Sequence, residues 1–156
     1  MEILQGEWIP LMAIVVLMGA PGAGKSTWLA ANKQEPWHIA STQAIRVNRD
    51  IDRGAYMRNM QRKAIKAAEA GMNVYCDGTH TIASHRLIWI NLANRLGIEA
   101  KLVCFQTSLT LMLMAQKQRE YPAPRQIVID HHKRFQRAII QCQSEGWSSI
   151  ETLVRK

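Results

Sequence analysis

No stretch of this chain is long and apolar enough to cross a bilayer. The longest apolar run, Leu11–Met18, has eight residues, against about 20 for a spanning helix. A secretory leader is not expected either: Glu2 and Glu7 stand where a basic region would be, and no small-residue cleavage site follows. The expected compartment is the cytoplasm, with no membrane partner. Cysteine is scarce. Cys76, Cys104 and Cys142 are an odd, unclustered set, which excludes a disulfide framework and reads as free thiols in a reducing compartment. Paired C-x-x-C or H-x-x-x-H spacing is missing, so Cys76, Asp77, His80 and His85 do not read as a zinc site. Repeats, low-complexity tracts and linkers are missing too, and 156 residues fit a single domain. Acid is in deficit. Twelve Asp and Glu face 20 Lys and Arg, a formal charge of +8, and such an excess favours a polyanionic partner.

What is present alternates between two periodicities. Ala13–Met18 is a short apolar run followed at once by turn chemistry, the pattern of a buried parallel strand. A helix is predicted from Lys25, and Pro36 closes that unit. His38–Ala40 reads as a second strand and Ser41 as the N-cap of a helical turn through Arg46. Strong helix formers run from Ala55 to Ala70, with Gly71 as the stop. Further strands are predicted at Asn73–Cys76, Ala100–Phe105 and Ser149–Val154. Further helices are predicted at Ser84–Leu96, from a Ser108 cap to about Gln118, and at Gln126–Gln141, with Glu120–Pro124 as a break. This alternation predicts a three-layer α/β fold around a parallel sheet of about five strands. Residues 1–11 are expected to be a peripheral extension, with Trp8 packing loosely, and 12–156 to form the domain.

Gly19-Ala20-Pro21-Gly22-Ala23-Gly24-Lys25-Ser26 matches G-x-x-x-x-G-K-[ST] throughout, between a predicted strand and a predicted helix. The chemistry needs this order. Glycines let the backbone curl until successive N–H groups face one anion, and the helix that follows adds its positive end. Gly19, Gly22, Ala23, Gly24, Lys25, Ser26 and Thr27 are therefore the candidate nucleotide contacts. Lys25 is placed to reach the β- and γ-phosphates, the Ser26 hydroxyl to ligate Mg²⁺ and Thr27 to touch the α-phosphate. An N-K-x-D guanine-reading tetrapeptide is missing, which favours ATP over GTP.

Met12–Trp28 resembles the opening of phage polynucleotide 5′-kinase domains, and of small P-loop kinases of the zeta-toxin and chloramphenicol-phosphotransferase kind. Val74-Tyr75-Cys76-Asp77-Gly78-Thr79-His80 is similar to their second strand motif. Arg86 falls where they often carry a basic residue. Gln116-Lys117-Gln118-Arg119, then Pro124, Ile127 and Val128, resembles their helical lid, and Glu145-Gly146-Trp147 before an apolar strand suits them as well. The likeness covers about residues 12–154. It implies a P-loop NTPase fold with a lid, and an ATP- and Mg²⁺-dependent kinase whose acceptor is a hydroxyl of a nucleic-acid 5′ end or a nucleotide. It also implies Arg119 and Arg125 on the nucleotide, Arg119 on the transferring phosphoryl group, and Arg46, Thr79, His80 and Arg86 on the acceptor.

Two positions depart from that pattern. The family usually has Ser-x-Asp-x-x-Arg after the second strand, whose Asp takes the acceptor proton. Here Ser41-Thr42-Gln43-Ala44-Ile45-Arg46 puts Gln43 at that place. An amide cannot act as a general base but can orient a hydroxyl. Ala115 replaces the first lid Arg. Asp77 is the best substitute carboxylate, with second-shell Mg²⁺ ligation as its competing role. Asp50 and Asp52 read as a solvated turn. A small-molecule kinase of the same fold, or an ATP-binding module with degenerate catalysis, stays open beside the polynucleotide kinase. Residues 46–66 carry seven cations, of which Arg58, Arg62 and Lys66 share one helix face. That stripe reads either as a groove for a phosphate backbone or as a solvated face. His131 and His132 read as surface residues, Trp89 and Leu111–Met114 as core.

Overall fold

The computed structural model describes residues 12–48 and 50–156, without the side chains of Arg46 and Val47. The expected peripheral extension, Trp8 included, lies outside the described residues, as does Arg49.

Five parallel strands form one sheet: β1 (Ala13–Met18), β2 (Trp37–Ser41), β3 (Asn73–Asp77), β4 (Glu99–Thr107) and β5 (Ser149–Arg155), in the order β2-β3-β1-β4-β5. The first strand is the central one. Val15 pairs with Tyr75 on one side and Lys101 on the other. Helices cover both faces of the sheet, so all six residues of β1 are buried, which is why that segment is apolar throughout rather than alternating. Ile14, Val16 and Met18 face one layer with Cys76, Ala40 and Cys104. Ala13, Val15 and Leu17 face the other with Tyr75, Val103 and Phe105.

The helices are α1 (Lys25–Asn32), α2 (Gln43–Val47), α3 (Arg53–Glu69), α4 (Ala83–Leu96), α5 (Leu109–Gln116) and α6 (Arg125–Gln141). Met60, Ala64, Ala67 and Ala68 of α3 and Trp89, Ile90, Leu92 and Ala93 of α4 fill the first layer. Leu29 of α1 and Met112 of α5 fill the second, where Trp28 meets Tyr75 and Phe105 edge-on. Helix α6 belongs to both layers. Its Val128 packs in the second, its Phe135 and Ala138 in the first, so it crosses from one face of the sheet to the other.

The predicted elements are all present, with shifts at their ends that have local causes. Ser41 is the last residue of β2, paired with Asp77, and its Oγ accepts from the Gln43 N–H at 3.1 Å; Thr42 occupies the cap position instead. Asp52 belongs to a helix end rather than a loose turn: its Oδ1 accepts from the Ala55 N–H at 3.0 Å and starts α3 at Arg53. Ser108 caps α5 as expected, bonding the Leu111 N–H at 3.3 Å. Within Leu111–Met114, Met112 is buried and Met114 is exposed.

One buried ion pair ties the first layer together and corrects an expectation. Arg86 is fully buried. Its Nε and Nη2 donate to Glu145 Oε1 and Oε2 at 2.9 and 2.6 Å, and its Nη1 donates to the His80 carbonyl at 2.9 Å. A guanidinium engaged this way cannot hold an acceptor, so Arg86 is a framework residue. Burial pushes the Glu145 carboxyl up, but hydrogen bonds from Arg86 and Trp147 with the Arg86 charge outweigh it and hold the group below its usual value. Breaking one side of a buried bidentate pair strands the other charge. Glu145→Gln is therefore expected to cost about 3–5 kcal/mol, read as a lower urea midpoint at an unchanged m-value. In the parent protein the pair's contribution disappears as pH falls through the depressed Glu145 titration.

Candidate nucleotide site

The loop between β1 and α1 is shaped by its two left-handed glycines. Gly22 has φ +87° and Gly24 φ +108°, values that a side chain rarely adopts. At Gly22 space forbids a side chain as well. A Cβ on Gly22 would lie 2.7 Å from the Met112 carbonyl oxygen, and one on Gly24 would lie 2.8 Å from Arg155 Nη1. Three strand ends anchor the loop. The Gly19 N–H donates to the Thr79 carbonyl at 3.0 Å, next to β3. The Thr107 hydroxyl, closing β4, donates to the Ala23 carbonyl at 2.7 Å. His80 bonds the Leu17 carbonyl of β1 at 2.8 Å. Lys25, largely buried, folds its ammonium onto the loop's own Gly19 and Ala20 carbonyls at 2.7 and 3.0 Å. Ser26 and Thr27 are exposed in the first turn of α1.

Asp77 closes β3 beside this loop. Strand alternation after Cys76, which faces the first layer, puts Asp77 on the opposite face, that of Leu17 and Tyr75. It is half-buried. Its carbonyl accepts from the Thr42 N–H at 3.2 Å, so Gln43, exposed at the first position of α2, stands one strand over. Arg46 lies on α2, but its side chain is outside the described residues. Arg119 is half-buried in the connection between α5 and α6, and Arg125 is exposed at the first position of α6. The fold thus gathers Gly19–Thr27, Gln43, Asp77 and Thr79 around the C-terminal ends of the strands, where open α/β sheets bind ligands.

His80 is corrected. Its ring is buried, Nδ1 faces the Leu17 carbonyl and Nε2 receives the Trp89 indole N–H at 3.3 Å. The carbonyl can only accept and the indole can only donate, which sets a neutral ring with its proton on Nδ1. Burial pulls its pKa down to about 4 against the hydrogen bonds to Leu17 and Gly78, with the Lys25 and His85 charges adding to the fall. His80 therefore buttresses the loop instead of contacting an acceptor.

His131 is the converse case. Expected at the surface, it is half-buried, with Nδ1 3.3 Å from Thr81 Oγ1. Burial first, then the Arg134 and Lys25 charges, lower its pKa to about 4. The Thr81 contact brings this side of α6 to the segment that follows β3. A signal was available: Val128, His131, Phe135 and Ala138 follow one helix line at three-to-four spacing, and the other three are buried. Thr107, Gln116 and Arg155 also touch the loop region; Gln116 stands in the lid pattern, and Thr107 and Arg155 belong to no motif.

Metal ligation has a plausible donor set in kind. Among the described residues no group of three or more His, Cys, Asp or Glu side chains gathers as a metal site. Mg²⁺ needs no such cage; one or two protein oxygens and the substrate phosphates suffice. The Ser26 hydroxyl and the Asp77 carboxylate are oxygens of that kind. No helix among the described residues is long and apolar enough to cross a membrane.

The acid response of the fold follows from the two histidines. Unfolded, both bind protons near pH 6.5; folded, both resist until about pH 4. The unfolded chain then holds more protons, so stability falls as pH drops from about 6.5 to about 4. Urea denaturation at pH 7, 5.5 and 4.5 is expected to show this fall, with the steepest part of His80's share absent from His80→Asn.

Comparison with known proteins agrees with this geometry. Residues 14–140 match the family described as AAA domain, AAA_33. In structure the chain is similar to a component of the Pnkp1/Rnl/Hen1 RNA repair complex, with a TM-score of 0.68, 16% identity, and coverage of 84% of this chain and 46% of that one. It is similar to a kinase candidate from Chloroflexus aurantiacus, with a TM-score of 0.61, 14% identity, and coverage of 93% and 89%. It is also similar to a protein of the PezAT chromosomal toxin–antitoxin system of Streptococcus pneumoniae, with a TM-score of 0.59, 15% identity, and coverage of 93% and 68%. At such identities these likenesses concern the fold, and the chain spans less than half the length of the RNA-repair protein.

Proposed function

The chain belongs to the AAA_33 family of AAA domains and has a P-loop kinase fold, and from that premise we propose that it is an ATP-dependent kinase acting on a hydroxyl of a nucleic-acid 5′ end or a nucleotide. The observation that carries this reading is the glycine-shaped loop with Lys25 folded onto its own carbonyls. A triphosphate offers that ammonium stronger acceptors than Gly19 and Ala20 do. On this reading the Ser26 hydroxyl would hold Mg²⁺, which would neutralise charge on the phosphates. Arg119 in the lid compensates charge on the transferring group, with Arg125 on the nucleotide. Thr79 and Arg46 serve the acceptor. Asp77 takes the acceptor proton in place of Gln43.

Charge supports a nucleic-acid acceptor. Arg53, Arg58, Arg62, Lys63 and Lys66 are all exposed on α3, and none of them forms an ion pair among the described residues. Lys63, with His38, Tyr56 and Asn59, lines a shallow groove of about 160 Å³ between α3 and the edge strand β2. That strand leads directly to Gln43. Burial first, and then the Lys63 charge, lower the His38 pKa. The RNA repair complex among the structural neighbours adds an analogy in the same direction.

A second reading has its own observation. Gln43 is an exposed amide where a proton acceptor is expected, so the chain can instead be an ATP-binding module with lost transfer. Incubation with γ-labelled ATP and 5′-hydroxyl DNA and RNA oligonucleotides separates the two. Label transfer is expected. ATP binding without transfer to either oligonucleotide would overturn the kinase reading and favour the module. Asp77→Asn is expected to lower the transfer rate by about 10²–10⁴-fold, the range of general-base contributions, while ADP affinity measured without metal stays within twofold. In the module, by contrast, Gln43→Asp is the change that creates activity. For the stripe, log affinity for a single strand should fall with log salt, and Arg62→Ala should reduce the slope by about 0.7.

A further inference from the structure

The two left-handed glycines of the loop share a property that the motif does not require: each turns its bare Cα toward an N–H donor from the C-terminal half of the chain. A Cβ on Gly22 would lie 2.8 Å from Gln116 Nε2, and one on Gly24 would lie 2.8 Å from Arg155 Nη1. Gln116 ends α5 and Arg155 ends β5. Neither donor has an obvious acceptor. Gln116 is 6% exposed. Its Oε1 accepts the Ala123 N–H at 2.9 Å, joining the two ends of the lid, while its Nε2 is buried and has no partner among the described residues. A buried amide donor left unpaired is costly, so its acceptor is to be sought outside the chain.

Arg155 presents the same deficit as charge. Its backbone is fixed, since the carbonyl accepts the Ser108 N–H at 2.9 Å. Its guanidinium is exposed, with no hydrogen bond or ion pair to the described residues. It rests against Gly24, the N-cap of α1, at the positive end of a helix and beside the loop that holds Lys25. A cation belongs at the other end of a helix. Placed here it raises the potential of the loop, which water and salt screen only in part and a bound anion lowers directly.

We propose that Gln116 and Arg155 are nucleotide-binding residues, whose Nε2 and guanidinium N–H groups take oxygens of the nucleotide's phosphate chain along the outer edge of the loop. The inference rests on the reading of the loop as a nucleotide site and adds to it a second set of donors. They come from the lid and from the edge strand rather than from the motif. Through the Gln116–Ala123 bond, the residue that senses the nucleotide also holds the base of the lid.

Calorimetric titration with ADP and with inorganic tripolyphosphate, on the full chain, tests this. Arg155→Gln is a surface change, and Gln116→Glu keeps the oxygen that Ala123 uses while removing the donor. Each is expected to weaken both ligands by about tenfold or more, the scale of one hydrogen bond to a charged group. Arg155→Lys is expected to restore part of the loss. Unchanged affinities in Arg155→Gln, with normal binding by the parent chain, overturn this inference alone. Loss for ADP with none for tripolyphosphate overturns it too, because the contact is then with the nucleoside. If the parent chain binds neither ligand, the loop reading falls and this inference with it. Thermal melting without ligand shows whether Gln116→Glu is folded, and Arg155→Gln decides the matter if it is not.

Discussion

The curl of Gly19–Ser26 is the constraint to which the rest of the structure answers. A backbone bent so that its N–H groups converge is not stable by itself; it holds because three strand ends grip it, through Thr79, Thr107 and the His80–Leu17 bond. Those grips require β3, β1 and β4 to be adjacent and parallel, which they are. His80 in turn is held by the Trp89 indole and, through its carbonyl, by Arg86, whose charge Glu145 balances. A chain of contacts therefore runs from the loop to the start of β5. The apolar layers on either side of the sheet keep that chain dry, which strengthens each of its polar links.

Much of this was legible in the residues themselves. The apolar Ala13–Met18 run, the glycine pattern after it, and Gly71 as a helix stop are local signals whose physics does not depend on the rest of the fold. The positions that were misjudged depend on three-dimensional neighbours. Arg86 reads as an acceptor contact until Glu145, far along the chain, is found beside it. His80 reads as a strand-end contact until Trp89 is seen to occupy its second nitrogen. His131 lies on the same helix line as Val128 and Phe135, but a histidine on an apolar line does not announce what it faces. Gln116 stands in the lid pattern without a role of its own and Arg155 carries no motif; only their close approach to Gly22 and Gly24 draws attention to them. The Asp52 cap is the exception, a local signal that was read as solvation because Arg53 and Gly54 are poor markers of a helix start.

The family and the site geometry agree on a phosphoryl-transfer scaffold, and the departures at Gln43 and Ala115 bear on rate rather than on architecture. Phosphoryl transfer depends chiefly on positioning and on charge placed around the moving group. The loop, Asp77 and the half-buried Arg119 come from elements other than that of Gln43. The basic face of α3 is separate again, and exposed cations of this kind act at longer range. The three contributions come from different elements, which is how one small sheet can serve kinases with unrelated acceptors.

Because β1 is the earliest strand among the described residues and also the middle of the sheet, synthesis and assembly run out of step. Its partners are Asn73–Asp77 and Glu99–Thr107, so on the ribosome this fully apolar segment waits unpaired until the first of them emerges, and keeps one edge open until the second does. Such a segment is open to pairing with other chains during that interval. The basic crossover helix α3 emerges between the orphan strand and its first partner, and like charge of that kind opposes the association of nascent copies.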